Sequence, residues 1–141
     1  MTPPTGTLYG IGVGPGDPDL ITLKALKALQ RVSHIFASCS TKNTYSLALN
    51  IVRRHLNGAG IEHLPFPMTR DSRLLEEAWD RNARRVLEIL ASGVDAAFVT
   101  LGDPLTYSTF GYLLKTLKRL EPEVPIITIP GITSYSAAAA L

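Results

Sequence analysis

Residues Tyr9 to Leu26 read YGIGVGPGDPDLITLKAL, an apolar run with alternating glycines, followed by two prolines and a segment of helical periodicity. This order predicts a β-strand, a tight glycine turn and an α-helix, which together open a βαβ unit. The same alternation of short apolar runs and longer amphipathic segments continues along the chain. The sequence therefore predicts an α/β fold, with a mainly parallel five-stranded sheet and flanking helices.

The boundaries of these elements follow from apolar periodicity and from glycine and proline breaks. The predicted strands span residues 7–13, 34–37, 61–66, 95–101 and 126–129, and the predicted helices span 22–32, 45–56, 73–92 and 109–120. Asp17, Asp19 or Thr22 is available to cap the first helix, which is predicted to carry Leu23, Leu26 and Leu29 on one apolar side. Trp79 is predicted to lie in the core.

Composition narrows the class of protein. The 141 residues are 45% hydrophobic and carry a formal net charge of +2, which indicates one compact core and too little positive charge for nucleic-acid binding. The apolar runs are too short for a membrane span or a secretory signal. Cys39 is the single cysteine, and His34, His55 and His63 lack the spacing of metal ligands. We expect a cytoplasmic protein without metal, nucleic-acid or membrane partners.

The glycine loop fails the tests for a phosphate site. A dinucleotide fingerprint needs glycine at positions one, three and six, but the sixth position is Pro15 counted from Gly10 and Asp17 counted from Gly12. Pro15 removes an amide donor, and the carboxylate of Asp17 would repel phosphate. A Walker loop is excluded as well, because no glycine, lysine and hydroxyl residue follow one another. The loop is either a plain strand-to-helix turn or the wall of another kind of pocket.

Two further loops follow predicted strands. TLGDPLTYST spans residues 100–109, and PGITSYSAAAA spans residues 130–140. The carboxyl ends of parallel strands share one edge of a sheet, so we expect these loops and the glycine loop to line one crevice. Gly102 would permit close approach of a ligand to the backbone, and Asp103 would either offer an anionic oxygen there or cap the following turn.

Three motifs carry a resemblance to a known family. GVGPGDPDLITLKAL, TLGDPLTYST and PGITSYSAAAA, in this order and spacing, resemble the signature loops of the tetrapyrrole methylases, which transfer a methyl group from S-adenosylmethionine. FPMTRD at 66–71 and the continuation LTYSTFGYLL resemble the precorrin-2 C20-methyltransferases of cobalamin biosynthesis. The resemblance implies S-adenosylmethionine as methyl donor and cofactor contacts at Pro15, Leu101, Gly102, Asp103, Thr106, Thr133 and Ser134.

The resemblance also implies a substrate and an assembly. Family members have two α/β domains around a cleft and are commonly homodimers, so residues 1–122 would form the N-terminal domain and 123–141 the start of a truncated second one. The glycine loop, with Gly14 and Gly16, would face the tetrapyrrole substrate. Lys42, Arg70 and Arg73 are hypothetical clamps for the substrate carboxylates, with solvated loop charges as an equal alternative.

Catalytic residues and the acceptor stay open. Ser38 stands where some relatives carry an aspartate proposed as a base, so no general base is assigned. The chain is expected to be a fragment that is inactive by itself. One alternative is another acceptor within the same family, such as uroporphyrinogen III, an elongation-factor residue or ribosomal RNA. A second alternative is a non-catalytic half-site or dimerisation domain.

Overall fold

The computed structural model describes residues 6–40 and 45–141. Its centre is a five-stranded sheet in the order β3-β2-β4-β1-β5, in which every pair of neighbouring strands is parallel. The predicted fold class is therefore confirmed. The strands are β1 (Leu8–Gly12), β2 (His34–Ser40), β3 (Gly60–Phe66), β4 (Ala96–Thr100) and β5 (Ile126–Ile129).

The described part of the chain also forms five α-helices, which connect and follow these strands. They are α1 (Leu23–Arg31), α2 (Leu47–Val52), α3 (Ser72–Ala91), α4 (Thr109–Leu120) and α5 (Ser134–Ala139). Short 3₁₀ turns at Pro18–Leu20 and Arg53–His55 precede α1 and follow α2. The second predicted helix thus ends earlier than expected as an α-helix, because its last turn tightens to 3₁₀ geometry before the chain enters β3.

The sheet separates two apolar clusters. Side chains alternate along a strand, so Ala97 and Val99 of β4 join the cluster that holds α1 and α2, whereas Ala96 and Phe98 join the cluster that holds α3 and α4. The interior strands are therefore buried on both faces, as expected for a parallel sheet. The resulting three layers fix the carboxyl edge of the sheet, where the loops after β1, β4 and β5 emerge.

Hydrogen bonds define where α1 begins and where α3 ends. Thr22 caps α1, because its Oγ1 accepts a hydrogen bond of 3.1 Å from the Ala25 amide. Asp17 instead caps the preceding 3₁₀ turn through a bond of 2.9 Å from the Asp19 amide. Gly93 follows the last turn of α3, has a φ of +88° and donates to the Leu90 carbonyl at 3.0 Å.

Two side chains differ from their predicted burial. Leu23 is 74% exposed, because it is the first residue of α1 and lies ahead of the turns that pack on the sheet. Trp79 packs against the core but remains partly exposed, and its ring stacks on the exposed Tyr112 of α4 with 4.6 Å between centroids. Periodicity assigns both residues to the inner face, but it registers neither the position of Leu23 at a helix end nor the packing of Trp79 against a ring on another helix.

β5 belongs to the same sheet as the other strands and pairs with β1 from Leu8↔Ile126 to Ile11↔Ile129. The domain boundary at residues 122 and 123 stays a prediction. Across residues 6–40 and 45–141, no helix combines the length and the apolar character needed to cross a membrane.

Candidate functional site

The loops after β1 and β4 are hydrogen-bonded to each other. The Gly102 amide donates to the Gly14 carbonyl at 2.8 Å, and the Gly14 amide lies 3.4 Å from the Gly102 carbonyl. β5 lies on the other side of β1, so the loop that follows it reaches the same point. The predicted convergence of the three loops at one edge is therefore confirmed.

Three glycines, Gly12, Gly102 and Gly131, form the contact between these loops, which we term the glycine junction. A Cβ atom added to Gly131 would overlap the Gly102 carbonyl oxygen and lie 2.8 Å from the Gly12 carbonyl carbon. A Cβ atom added to Gly12 would lie 2.8 Å from the Gly131 amide nitrogen. Gly102 has a φ of +63°, which side-chain-bearing residues rarely adopt. The backbones thus meet without side chains between them.

Asp103 adds a side-chain link at this junction. Its Oδ2 accepts hydrogen bonds from the Leu105 amide at 3.0 Å and from the Thr106 hydroxyl at 3.2 Å, which cap the turn within its own loop. Its Oδ1 accepts a bond of 3.1 Å from the Gly131 amide in the loop after β5. The sequence predicted the turn cap as one alternative, but the bond to Gly131 was not predicted.

A cavity of about 230 Å³, which we term the loop cavity, lies beside the glycine junction. Its lining includes all seven residues that the family resemblance implies as cofactor contacts, namely Pro15, Leu101, Gly102, Asp103, Thr106, Thr133 and Ser134. Tyr107 and Tyr135 also line it and were not predicted, although both lie within the same motifs. Tyr107 has a φ of +51° and a fully exposed side chain, a conformation that residue spacing does not reveal.

A second cavity of about 550 Å³, the edge cavity, lies next to the loop cavity and shares Leu101 with it. Its lining includes the end of β2 at residues 38–40, together with Met68, Trp79 and Tyr112. Ser38, noted from the sequence, lies in this lining. Burial raises the pKa of the Cys39 thiol, so the thiol stays protonated at neutral pH.

The residues predicted to contact the substrate are distributed differently. Gly14 is buried in its bridge to Gly102, and neither it nor Gly16 lines the two cavities. Arg70 is exposed in the loop that carries Met68, and Arg73 Nε lies 3.9 Å from Glu77 Oε1 with its side chain 83% exposed. Lys42 falls outside the described residues. These assignments stay predictions.

Known proteins resemble the chain in sequence and in structure. It is 42% identical over 133 residues to a protein of Methanocaldococcus jannaschii named "Probable cobalt-precorrin-2 C(20)-methyltransferase", a match that covers 94% of this chain and 56% of that protein. It is 35% identical over 136 residues to the cobalt-precorrin-2 C(20)-methyltransferase of Salmonella typhimurium, covering 96% of this chain and 56% of the relative. The X-ray structure of a cobalt precorrin-4 methyltransferase superposes with a TM-score of 0.67 and 32% identity, covering 95% of this chain and 49% of that one.

These matches cover a similar share of each relative. The chain spans about half the length of the relatives it matches. A sequence profile of the family described as Tetrapyrrole (Corrin/Porphyrin) Methylases matches residues 7–141, which include the glycine loop and both later loops. With the motifs, the sheet order and the loop cavity in place, the chain belongs to the tetrapyrrole (corrin/porphyrin) methylase family.

Proposed function

We propose that this chain supplies the S-adenosylmethionine-binding half of a methyltransferase that methylates C20 of precorrin-2 or of its cobalt-containing counterpart. The observation that carries the proposal is the loop cavity, whose lining includes every residue that the motifs predict as a cofactor contact. The names of the archaeal and Salmonella relatives support this acceptor over uroporphyrinogen III.

The lining of the loop cavity fits the methyl donor chemically. Thr106, Thr133 and Ser134 offer hydroxyl groups, and Gly102 lets a ligand approach the backbone of the β4 loop closely. Among the described residues that line it, none is Lys or Arg, which suits adenosine and methionine groups better than a pyrophosphate. Leu101 to Asp103 would therefore hold one side of the donor, and Thr133 with Ser134 the other.

S-adenosylmethionine supplies a methyl group on a sulfonium, an activated leaving group that needs little acid–base assistance. The protein's task is then to hold the reacting groups in line and to exclude water. The edge cavity shares Leu101 with the loop cavity and would hold the acceptor beside the donor. The Cys39 thiol stays protonated there, because burial raises its pKa, so we assign it no role as a nucleophile or base.

The remaining properties of the whole protein follow from the same family. We propose a homodimer in the cytoplasm, with a tetrapyrrole as its small-molecule substrate. Lys42, Arg70 and Arg73 are the cations we propose for binding the substrate carboxylates, and Gly14 and Gly16 would lie on the substrate side of the glycine loop.

Titration calorimetry with S-adenosylmethionine tests the proposal. We expect the 141-residue chain to bind the donor, and Ser134→Phe to weaken binding at least about tenfold, because the new ring would fill the loop cavity. The matched control is Ala138→Phe, which places the same ring at an exposed position of α5 outside the cavity. Absence of binding to the unaltered chain, or equal losses in both variants, would contradict the proposal.

A further inference from the structure

The loop after β5 leaves the sheet just before it lines the loop cavity. Its ladder with β1 ends at the pair Ile11↔Ile129, and α5 begins only at Ser134. Between these points the Gly131 amide donates to Asp103 Oδ1 at 3.1 Å. This bond therefore continues, through a side chain, the attachment that the β-ladder provides up to Ile129.

The remaining bonds of Asp103 fix the carboxylate itself. Its Oδ2 is held by the Leu105 amide at 3.0 Å and the Thr106 hydroxyl at 3.2 Å, and the Thr106 amide donates to the Asp103 carbonyl at 3.3 Å. A carboxylate offers about four acceptor positions, so three donors leave little capacity for a ligand. The side chain is oriented toward its own protein rather than held ready for a partner.

We infer that Asp103 is a positioning residue, which sets the shape of the loop cavity by holding the loop after β5 against the loop after β4. Thr133 and Ser134 follow Gly131 closely, so the Asp103 bond determines where their hydroxyls lie relative to Leu101 and Gly102. This inference rests on the proposed function for its consequence, donor affinity, but not for the link between the loops.

Two substitutions separate positioning from direct contact with the donor. Asp103→Ala removes both acceptors, whereas Asp103→Asn keeps one amide oxygen for Gly131 but loses the negative charge. The matched control is Asp17→Ala, which removes another aspartate that caps a local turn in the glycine loop and has no bond to Gly131. Amide exchange at Gly131, followed by NMR in the 141-residue chain, reports on the link, and calorimetry reports on S-adenosylmethionine binding.

We expect Asp103→Ala to speed exchange at Gly131 about tenfold and to weaken S-adenosylmethionine binding about tenfold, the effect of losing one charge-assisted hydrogen bond. Asp103→Asn should retain most of both, and Asp17→Ala should change neither. Amides of β1 and β4 serve as internal references, because their exchange should stay as in the unaltered chain.

Three results would overturn the inference. The first is unchanged exchange at Gly131 in Asp103→Ala. The second is faster exchange at Gly131 with unchanged donor affinity. The third is an Asp103→Asn variant that keeps Gly131 protected but loses as much affinity as Asp103→Ala, because the charge would then contact the donor directly. If the unaltered chain binds no donor, the proposed function fails while the exchange rates at Gly131 still decide the link.

Discussion

Gly131 lacks a side chain at a point where backbone atoms of two other loops fill the space that a Cβ would occupy. We predict that Gly131→Ala lowers the free energy of unfolding by roughly 1–3 kcal/mol, the usual cost of forcing a methyl group into a packed site. Backbone atoms cannot move aside as the end of a flexible side chain can. Urea unfolding of the two proteins measures the difference.

Gly111 provides the control for that experiment. It lies inside α4, and a Cβ added there would meet no atom within 4 Å. Gly111→Ala should therefore raise the free energy of unfolding by about 0.5–1 kcal/mol through its higher helix propensity. Opposite signs at the two glycines would support the glycine junction, and a neutral Gly131→Ala would refute it.

Arg70 allows a test of substrate recognition at the same scale. We predict that Arg70→Glu weakens binding of precorrin-2 several-fold, because the substrate carries carboxylates and the residue lies two positions from Met68 in the edge-cavity lining. Trp79 is the single tryptophan and lines that cavity, so its fluorescence can follow the titration. Arg81→Glu, an exposed charge reversal on α3 outside the edge cavity, is the control. Equal affinity of both variants for precorrin-2 would show that Arg70 does not bind the substrate carboxylates.

At the residue scale, the sequence was informative where its motifs resemble those of a known family. The resemblance of the three loops implied seven cofactor contacts, and all seven positions line the loop cavity. The sequence was less informative where backbone conformation determines the direction of a side chain. Tyr107 is an example, since it has a positive φ and its side chain is fully exposed to solvent. The long-range bond of Asp103 to Gly131 was also out of reach, because it depends on how two loops 28 residues apart meet.

Among the elements, β2, β3 and α3 are joined by a polar cluster. Glu62 accepts two bonds from the Arg85 guanidinium, at 2.7 and 2.9 Å, and its Oε1 lies 3.2 Å from His34 Nε2. The hydrogen bond from Arg85, opposed in part by desolvation, lowers the pKa of Glu62 below its ordinary value. Ionised Glu62 is thus favoured in the folded protein.

We predict that this cluster makes stability depend on pH in the acidic range. Because the folded-state pKa of Glu62 is lowered, its contribution is fully present above the unfolded-state pKa and disappears as the pH falls through the folded-state value. Glu62→Gln should cost about 1 kcal/mol at pH 7, and this difference from the unaltered chain should shrink toward pH 3. Urea unfolding at several pH values measures it.

The control is Glu76→Gln on α3, the helix that carries Arg85. Glu76 is exposed and has no ion-pair partner among the residues that the structure describes. Its substitution should change the free energy of unfolding by less than about 0.5 kcal/mol at either pH. A Glu62→Gln effect that is independent of pH would show that the ion pair is not its source.

In the whole molecule, the five strands could be predicted but their order could not. Apolar runs and glycine or proline breaks indicated each strand, and 126–129 matches β5 residue for residue. The placement of β1 between β4 and β5 depends on pairing between distant segments, such as Leu8 with Ala96. Local periodicity carries no information about such pairs, so the order emerged only from the three-dimensional packing.

We predict that the 141-residue chain by itself does not methylate precorrin-2. It spans about half the length of its relatives, and apolar side chains near the two cavities stay open to water, including Leu101 at 41% and Leu105 at 57% exposure. Methyl transfer benefits from a water-poor site, which this surface does not enclose. An assay with radiolabelled S-adenosylmethionine measures transfer, and a full-length relative is the positive control. Labelled product from the chain alone would contradict the prediction.

The position of β1 inside the sheet also bears on how the protein is made. β1 is the first of the five strands to leave the ribosome, yet among the described residues the ladder partners of Leu8 are Ala96 and Ile126, far along the chain. At a translation rate of about 5–20 residues per second, roughly 4–18 s separate the synthesis of Leu8 and Ala96. During this interval β1 lacks the two strands that flank it in the folded sheet, so added chaperones should raise the soluble yield.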